Sequence, residues 1–464
     1  MTPRHATIAA CLLAAGLFSG CAVGPAYKLP STPQPAAFKE AGPWQPAAPA
    51  DTLDRGPWWT LFRDPLLNDL ASSVEVNNQN VAVAVANYAQ ARALVQQQRA
   101  SLFPTLSLNA GADKSGGPGS TGSSDKRYHL TLGGSWEPDV WGRLRAGVNG
   151  ANASAAASAA DLAAARLSAQ GELAANYFTL RETDAQRELL AQTIAGYQRV
   201  LQITQNRFNA GIAAKSDVLQ AQTQLANAQS DDLTLVRQRA QLEHAIAILL
   251  GKAPADFTLA AAPWQANVPD VPVGVPSALL QRRPDIAAAE RRVAAANEQI
   301  GIARSAYYPN IGLSGSYGTS GSSVANLFSV SNAVWSLGLS AAQSIFNGGA
   351  TRAAVAGAEA AQQAATARYR QTVLAAFGDV EDQLAATRVL MQQTVLRRQA
   401  ADAANLVEEQ MLNRYKAGQV SYTEVVQAQA TALSARRALV QAQADRQTTA
   451  VALIQSLGGG WHTQ

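Results

Sequence analysis

The side chains that most often do chemistry are few and scattered in this 464-residue chain. Its histidines are His5, His129, His244 and His462, and no metal-ligand spacing joins any two of them. The cysteines are Cys11 and Cys21; Cys11 lies inside an amino-terminal leader, so no pair is left for a disulfide. The sequence carries no phosphate-binding glycine loop, nucleophile elbow or dinucleotide fingerprint. Gly458-Gly459-Gly460 closes a helical pattern at the chain end and reads as a stop. The expectation is therefore a protein that is not an enzyme and holds no cofactor or metal. One covalent modification is spelled out. Arg4 and His5 precede an apolar stretch from Ala6 to Phe18, and Ser19-Gly20 then meets Cys21. In that order of charge, apolar core and small residues, a signal peptidase cuts before the cysteine and its sulfur receives a diacylglycerol. The apolar stretch is too short to remain as a span. Lipidation is expected at Cys21, and Ala22, which is not the aspartate that retains proteins at the inner membrane, favours the outer membrane.

The elements that would carry such a chain are legible from its patterning. With 47% apolar and 15% charged residues, it can bury a large core. The net charge of +4 is spread over helical segments with both signs interleaved, which argues against nucleic acid as a partner. The chain is also duplicated. Ser101 to Leu108 (SLFPTLSL) matches Ala306 to Leu313 (AYYPNIGL) at an offset of 205, and Asn206 to Gly211 (NRFNAG) matches Asn413 to Gly418 (NRYKAG) at an offset of 207.

Each repeat predicts the same order of elements. A helix over about 66 to 101, or 284 to 305, ends before Pro104 or Pro309. There the period changes to alternation, with Leu106, Leu108 and Ala110 on one face and Thr105, Ser107 and Asn109 on the other. Gly/Ser loops follow at Ser115 to Ser124 and Thr319 to Ser323, and each repeat returns through a second strand. A proline-free helix then runs over about Arg145 to Phe208, or Ala350 to Tyr415. Leu190, Ile194, Tyr197, Leu201, Thr204 and Phe208 within it follow coiled-coil steps. It ends at Ala210-Gly211, or Ala417-Gly418, where glycine permits a left-handed cap. A last helix runs back, about Ser216 to Leu250 and Thr423 to Leu457. A helix of about 65 residues is roughly 97 Å long.

The domain reading is a signal peptide over 1–20, an acylated extended segment over 21–65, a first repeat over 66–253, an extended segment over 254–283 and a second repeat over 284–464. The two proline-rich segments are either flexible linkers or straps laid along the rods. Four strands of about ten residues have the length a tilted membrane strand needs. They cannot close a barrel, and open edges are not tolerated in lipid. Either the hairpins cap a rod that never enters a membrane, or three copies pool twelve strands and insert together. Asp217 and Glu424, each in the first turn of a returning helix, are either solvated acids facing the helix dipole or, under threefold symmetry, a ring of carboxylates that selects cations.

Several motifs resemble the TolC-like outer-membrane efflux channels, in the NodT/OprM branch that serves resistance-nodulation-division (RND) pumps. The acylated start Cys21 to Lys28 (CAVGPAYK), the Trp58-Trp59 to Pro65 region and Ser135 to Arg143 (SWEPDVWGR) carry the resemblance, together with Arg282 to Ile286 (RRPDI), Ala289 to Arg292 (AERR) and Leu457 to Trp461 (LGGGW). The resemblance covers nearly the whole mature chain. It implies a mainly α fold with a small β part: a trimeric 12-stranded β-barrel in the outer membrane, continuous with a long α-helical barrel in the periplasm. It implies a homotrimer lipid-anchored at Cys21, a periplasmic adaptor and an inner-membrane pump of RND type as partners, and a passive exit duct for small molecules. The remaining alternatives are a type I secretion exit channel and a non-conducting coiled-coil lipoprotein. By resemblance, Phe208, Ala210, Gly211, Tyr415, Ala417 and Gly418 are adaptor-docking turns and the periplasmic gate lies nearby. The acid and arginine that build the constriction in relatives are replaced here by Gln427 and Ala430, leaving Asp217 and Glu424 as the charged gate candidates.

Overall fold

The computed structural model describes residues 23–32, 35, 37–41, 57–115, 125–269, 271 and 283–459. Cys21, the expected lipidation site, lies outside the described residues, as do most of the Ser115 to Ser124 loop and His462. The chain divides into two compact units: residues 1–31, 87–159 and 288–371 form one, and residues 32–86, 160–287 and 372–464 the other.

α1 spans Pro65–Asn77 and α2 Gln79–Ala100; β1 (Thr105–Ser115) and β2 (Asp125–Trp136) follow, then α3 (Arg143–Asn209) and α4 (Lys215–Leu249). The second repeat has α5 (Pro284–Ser305), β3 (Asn310–Gly321), β4 (Ala333–Ala342), α6 (Ala350–Lys416) and α7 (Tyr422–Ser456). From α2 and α5 onward the two repeats share one element order. α2 and α5 are both 22 residues long, α3 and α6 both 67, and α4 and α7 both 35.

Two boundaries differ from the sequence expectation. The helix expected over 66 to 101 is broken at Asn78, whose extended backbone ends α1. Its Oδ1 accepts from the N–H groups of Asn80 and Val81 while its Nδ2 donates to the Leu249 carbonyl at 2.9 Å. The asparagine thus caps the first turn of α2, a role its side chain fills better than any helix-interior role. β3, expected to yield to a loop at Thr319, continues to Gly321 because Thr319, Ser320 and Gly321 pair with Leu130, His129 and Tyr128.

In the first unit the four strands form one antiparallel sheet in the order β1-β2-β3-β4, so β1 and β4 are open edges. Its junction with the helices is held by indoles and ion pairs. Trp136 Nε1 donates to the Leu102 carbonyl, Trp141 Nε1 to the Pro309 carbonyl at 2.7 Å, and the Trp141 ring stacks on Tyr308 at 4.8 Å. Asp139 accepts from the backbone N–H groups of Leu144 and Arg145, capping α3, and Arg143 pairs with Glu137 at 2.7 Å. Residues 23–31 lie along this unit. Pro25 O accepts from Asn297 Nδ2, the Tyr27 hydroxyl donates to Glu290, and Ser31 O accepts from Arg370.

The second unit is a helical body with an aromatic centre, in which Trp58, Trp59, Phe62, Tyr177 and Phe178 are buried. Tyr177 donates to Asp64, which also caps α1. Beside this centre sits a buried charge cluster. Asp184 accepts from Arg181 at 3.1 Å and from Arg239 at 2.7 Å, and Arg239 also meets Glu243. Both arginines donate onward to the inter-repeat segment, Arg181 to Ala260 O and Arg239 to Leu259 O. Further along, Gln447 Nε2 donates to the carbonyls of Gln265 and Asn267, and Trp264 Nε1 donates to Gln447. Residues 259–267 are thereby strapped to the helices.

Candidate functional site

Two regions carry chemistry of position. The first is the sheet. Its register stacks apolar side chains across all four strands: Leu108, Leu132, Tyr317 and Trp335 share one row, and Leu106, Gly134, Gly315 and Leu337 the next. These residues share a face because strand side chains alternate. The face is turned to the surroundings, with Leu106, Leu108, Trp335, Leu337 and Leu339 between 69% and 80% exposed. A continuous apolar patch of this kind marks an interaction surface. At the end nearest the helices the opposite face is built from small polar residues, while further along the strands it carries His129, Asp113 and Arg127. Ser107, Gly133, Ser316 and Ser336 form one row, with the Ser316 and Ser336 hydroxyls 2.8 Å apart, and Thr105, Ser135, Ser314 and Gly338 form another. No helix among the described residues is long and apolar enough to cross a membrane.

The second region is the helix-turn end of the second unit. α3 and α6 both terminate in glycines of left-handed backbone, Gly211 and Gly418, each at φ +74°, a conformation that side-chain-bearing residues rarely adopt. Packing between the repeats here rests on Val200, Ala221, Tyr415, Tyr422 and Val425, and a second cluster joins Leu190, Tyr197, Ala228 and Leu235. Of the coiled-coil seam, Leu190, Tyr197 and Thr204 are buried, the Thr204 hydroxyl donating to the Val200 carbonyl, whereas Phe208 is 37% exposed.

The turn residues are not equivalent between repeats. Ala210, Gly211, Ala417 and Gly418 are exposed with Phe208. Tyr415 is only 3% exposed; its ring tilts against Tyr422 at 5.4 Å and lies under the Arg207 guanidinium at 4.8 Å. Arg207, which periodicity had no means of singling out, donates to the carbonyls of Tyr415 at 2.9 Å and Lys416 at 3.2 Å.

Among the gate candidates, Glu424 is exposed and turned back on its own helix start, accepting from the N–H and the hydroxyl of Ser421. Asp217 is half-buried and accepts from the Ser216 hydroxyl at 3.4 Å. Burial, with Tyr415, Tyr197 and Asp217 nearby, pushes the Tyr422 phenol up, so it stays neutral between them. Gln427 and Ala430 are exposed one helical step further on. No group of three His, Cys, Asp or Glu side chains among the described residues could hold a metal ion.

Higher on α3, Glu182 is buried and accepts from Gln186 Nε2 at 2.6 Å. Burial drives its carboxyl up to about 7; the Gln186 bond opposes this and Asp445 reinforces it. A raised folded-state value stabilises the fold fully below the carboxylate's ordinary range, and that contribution is lost as pH rises through about 7. Glu182→Gln is therefore expected to raise the melting temperature at pH 8, by a stabilisation of about 2–3 kcal/mol. The gain should vanish near pH 4.5. Equal gains at both pH values would refute the buried-acid reading.

Known proteins match this chain over nearly its whole length. The profile of the outer membrane efflux protein family matches residues 70–252 and 275–459, the two repeats in turn. The chain is 31% identical over 455 residues to the solvent efflux pump outer membrane protein SrpC of Pseudomonas putida, covering 96% of each chain. It is also 31% identical over 459 residues to OprJ of Pseudomonas aeruginosa, covering 97% of this chain and 95% of that one. Among solved structures, the outer-membrane channel OprN superposes with a TM-score of 0.87 at 31% identity, over 95% of this chain and 100% of that one. The open state of the MtrE channel of Neisseria gonorrhoeae superposes with 0.83 at 28% identity, over 95% and 98%. On its duplicated helices, its four-stranded sheet and a match that spans both repeats, the chain belongs to the outer membrane efflux protein family.

Proposed function

We propose that this chain is the outer-membrane exit duct of a tripartite efflux system, passively conducting small molecules that an inner-membrane pump expels through a periplasmic adaptor. The observation that carries this reading is a sheet with an exposed apolar face, a hydroxyl-lined opposite face and two open edges. Lipid does not tolerate open edges, so neighbouring copies must complete the wall. Three copies give a closed barrel of twelve strands, apolar toward lipid and polar toward the lumen. Acylation at Cys21 anchors each copy. The relatives named as outer-membrane proteins of solvent and toluene pumps support efflux as the transport class, and an RND-type pump with its adaptor fits the same assembly. The protein is a conduit and not a catalyst, and substrate choice sits with the pump.

The helix-turn end is the periplasmic gate. Asp217, Glu424 and Gln427 face the constriction, and the exposed turn positions Phe208, Ala210, Gly211, Ala417 and Gly418 receive the adaptor, with buried Tyr415 supporting them from beneath. Purified protein should form trimers in detergent and give discrete conductance steps in a planar bilayer; a stable monomer without conductance would overturn the duct. Asp217→Asn with Glu424→Gln is expected to lower cation preference, read as a reversal-potential shift toward zero under a salt gradient. Unchanged selectivity would remove the carboxylate ring from the mechanism.

A further inference from the structure

The duplication supplies a template for a contact that a single chain cannot complete. Arg207, in the last turn of α3, crosses to the second repeat and donates to Tyr415 O and Lys416 O while covering the Tyr415 ring. Carbonyls at a helix carboxyl end have no partner within the helix, and the dipole there favours a cation. Shifted by 207 residues, Arg207 becomes Arg414, Tyr415 becomes Phe208, and Lys416 becomes Asn209. Arg414, in the last turn of α6, is exposed, and its guanidinium makes no hydrogen bond or ion pair with the described residues. Phe208, the counterpart of the covered Tyr415, is 37% exposed against 3%. The surroundings of the two turn glycines differ in the same sense: a Cβ at Gly418 would lie 3.9 Å from Arg207, whereas one at Gly211 would meet nothing within 4 Å. Donor, carbonyls and ring face of a second contact are all present in one chain, yet the guanidinium reaches none of them; the Phe208 carbonyl accepts from Gly211 N–H, as the Tyr415 carbonyl does from Gly418 N–H beside its arginine.

The step that joins them rests on the trimer of the preceding section. With three copies around one axis, first and second repeats alternate, so each second repeat has the first repeat of the next copy on its far side. We propose that Arg414 of each copy caps the carbonyls of Phe208 and Asn209 of the next copy and covers that Phe208 ring. Six arginines then close the tip as a ring, alternately within and between chains. The three intrachain contacts through Arg207 hold the two coiled coils of one copy together. The three interchain contacts through Arg414 are the ones whose release lets copies part, so Arg414 is a positioning residue for the closed gate.

The full-length lipoprotein in outer membranes tests this. Arg414→Cys combined with Asn209→Cys, treated with a short bismaleimide, should give covalent dimers and trimers on a denaturing gel. The template pair, Arg207→Cys with Lys416→Cys, should lose its free thiols without any intermolecular band. Glutaraldehyde on the unsubstituted protein reports the trimer independently. A glutaraldehyde trimer without a maleimide ladder from the Arg414 pair overturns the interchain contact. A glutaraldehyde monomer overturns the trimer itself. At equal trimer yield, Arg414→Ala should raise the conducting fraction in a planar bilayer about tenfold, the size expected for loss of a charge-assisted hydrogen bond. Arg414→Lys should fall between, because an ammonium reaches one carbonyl but offers no planar fork or flat face to the ring. A conducting fraction unchanged in Arg414→Ala also overturns the proposal.

Discussion

Leu337→Arg is expected to keep the sheet out of the lipid, leaving each copy tethered to the outer membrane by its acyl anchor alone. Leu337 is 80% exposed on β4, opposite Gly315, in the row that Leu106 and Gly134 complete. With no large neighbour on β3 to cover it, its side chain meets whatever surrounds the sheet. An arginine near the middle of a lipid-facing strand costs about 2–4 kcal/mol, and the trimer carries it three times. Envelopes should show the chain held by its lipid alone or degraded, with the detergent-stable trimer and the bilayer conductance both lost. The matching control is Ser316→Arg, on the other face and paired with Ser336. It should still assemble, while changing conductance. If Leu337→Arg inserts as well as the parent, the apolar face is not the one that meets lipid.

Asp184→Ala is expected to be the most destabilising single change in the helical unit. Asp184 bridges Arg181 and Arg239, and the three side chains are 5%, 3% and 14% exposed. Removing the acid leaves two guanidinium groups facing each other in a poorly solvated site, which costs about 3–5 kcal/mol. The damage should extend to the inter-repeat strap, because both arginines hold its carbonyls at Leu259 and Ala260. Thermal melts in detergent should show a large drop, and limited proteolysis should cut near residue 260. Asp184→Asn, which keeps one acceptor, should lose less. Equal stability of Asp184→Ala and parent would mean that the carbonyl contacts and Glu243 suffice to hold the arginines.

The fold was largely legible because its signals are local or periodic. Strand alternation around Leu106 and Leu108, the glycines at 211 and 418, and the offsets of 205 and 207 all come from neighbouring residues or direct comparison of two stretches. What stayed hidden depends on partners distant in sequence. Asn78 reads as a tolerable helix residue until its amide meets Leu249 O, 171 positions away. Arg207 and Arg414 occupy the same place in one motif, and only packing decides that one is engaged and the other not. The same holds for Phe208 and Tyr415, alike in type and unlike in burial. Glu182 looks like any helix-surface acid, since solvent exclusion leaves no mark on the chain itself. Repeats copy the sequence, but the surroundings of each copy are not copied with it.

The serine, threonine and glycine rows of the sheet have one more consequence. In the proposed duct, a stretch lined by these short hydroxyls and bare main chain offers a passenger little to grip, with no ring and no fixed charge in those rows. Dwell time in such an exit is brief for bulky and slender cargo alike. Indifference to what passes allows a single outlet to keep pace with whatever is delivered from below.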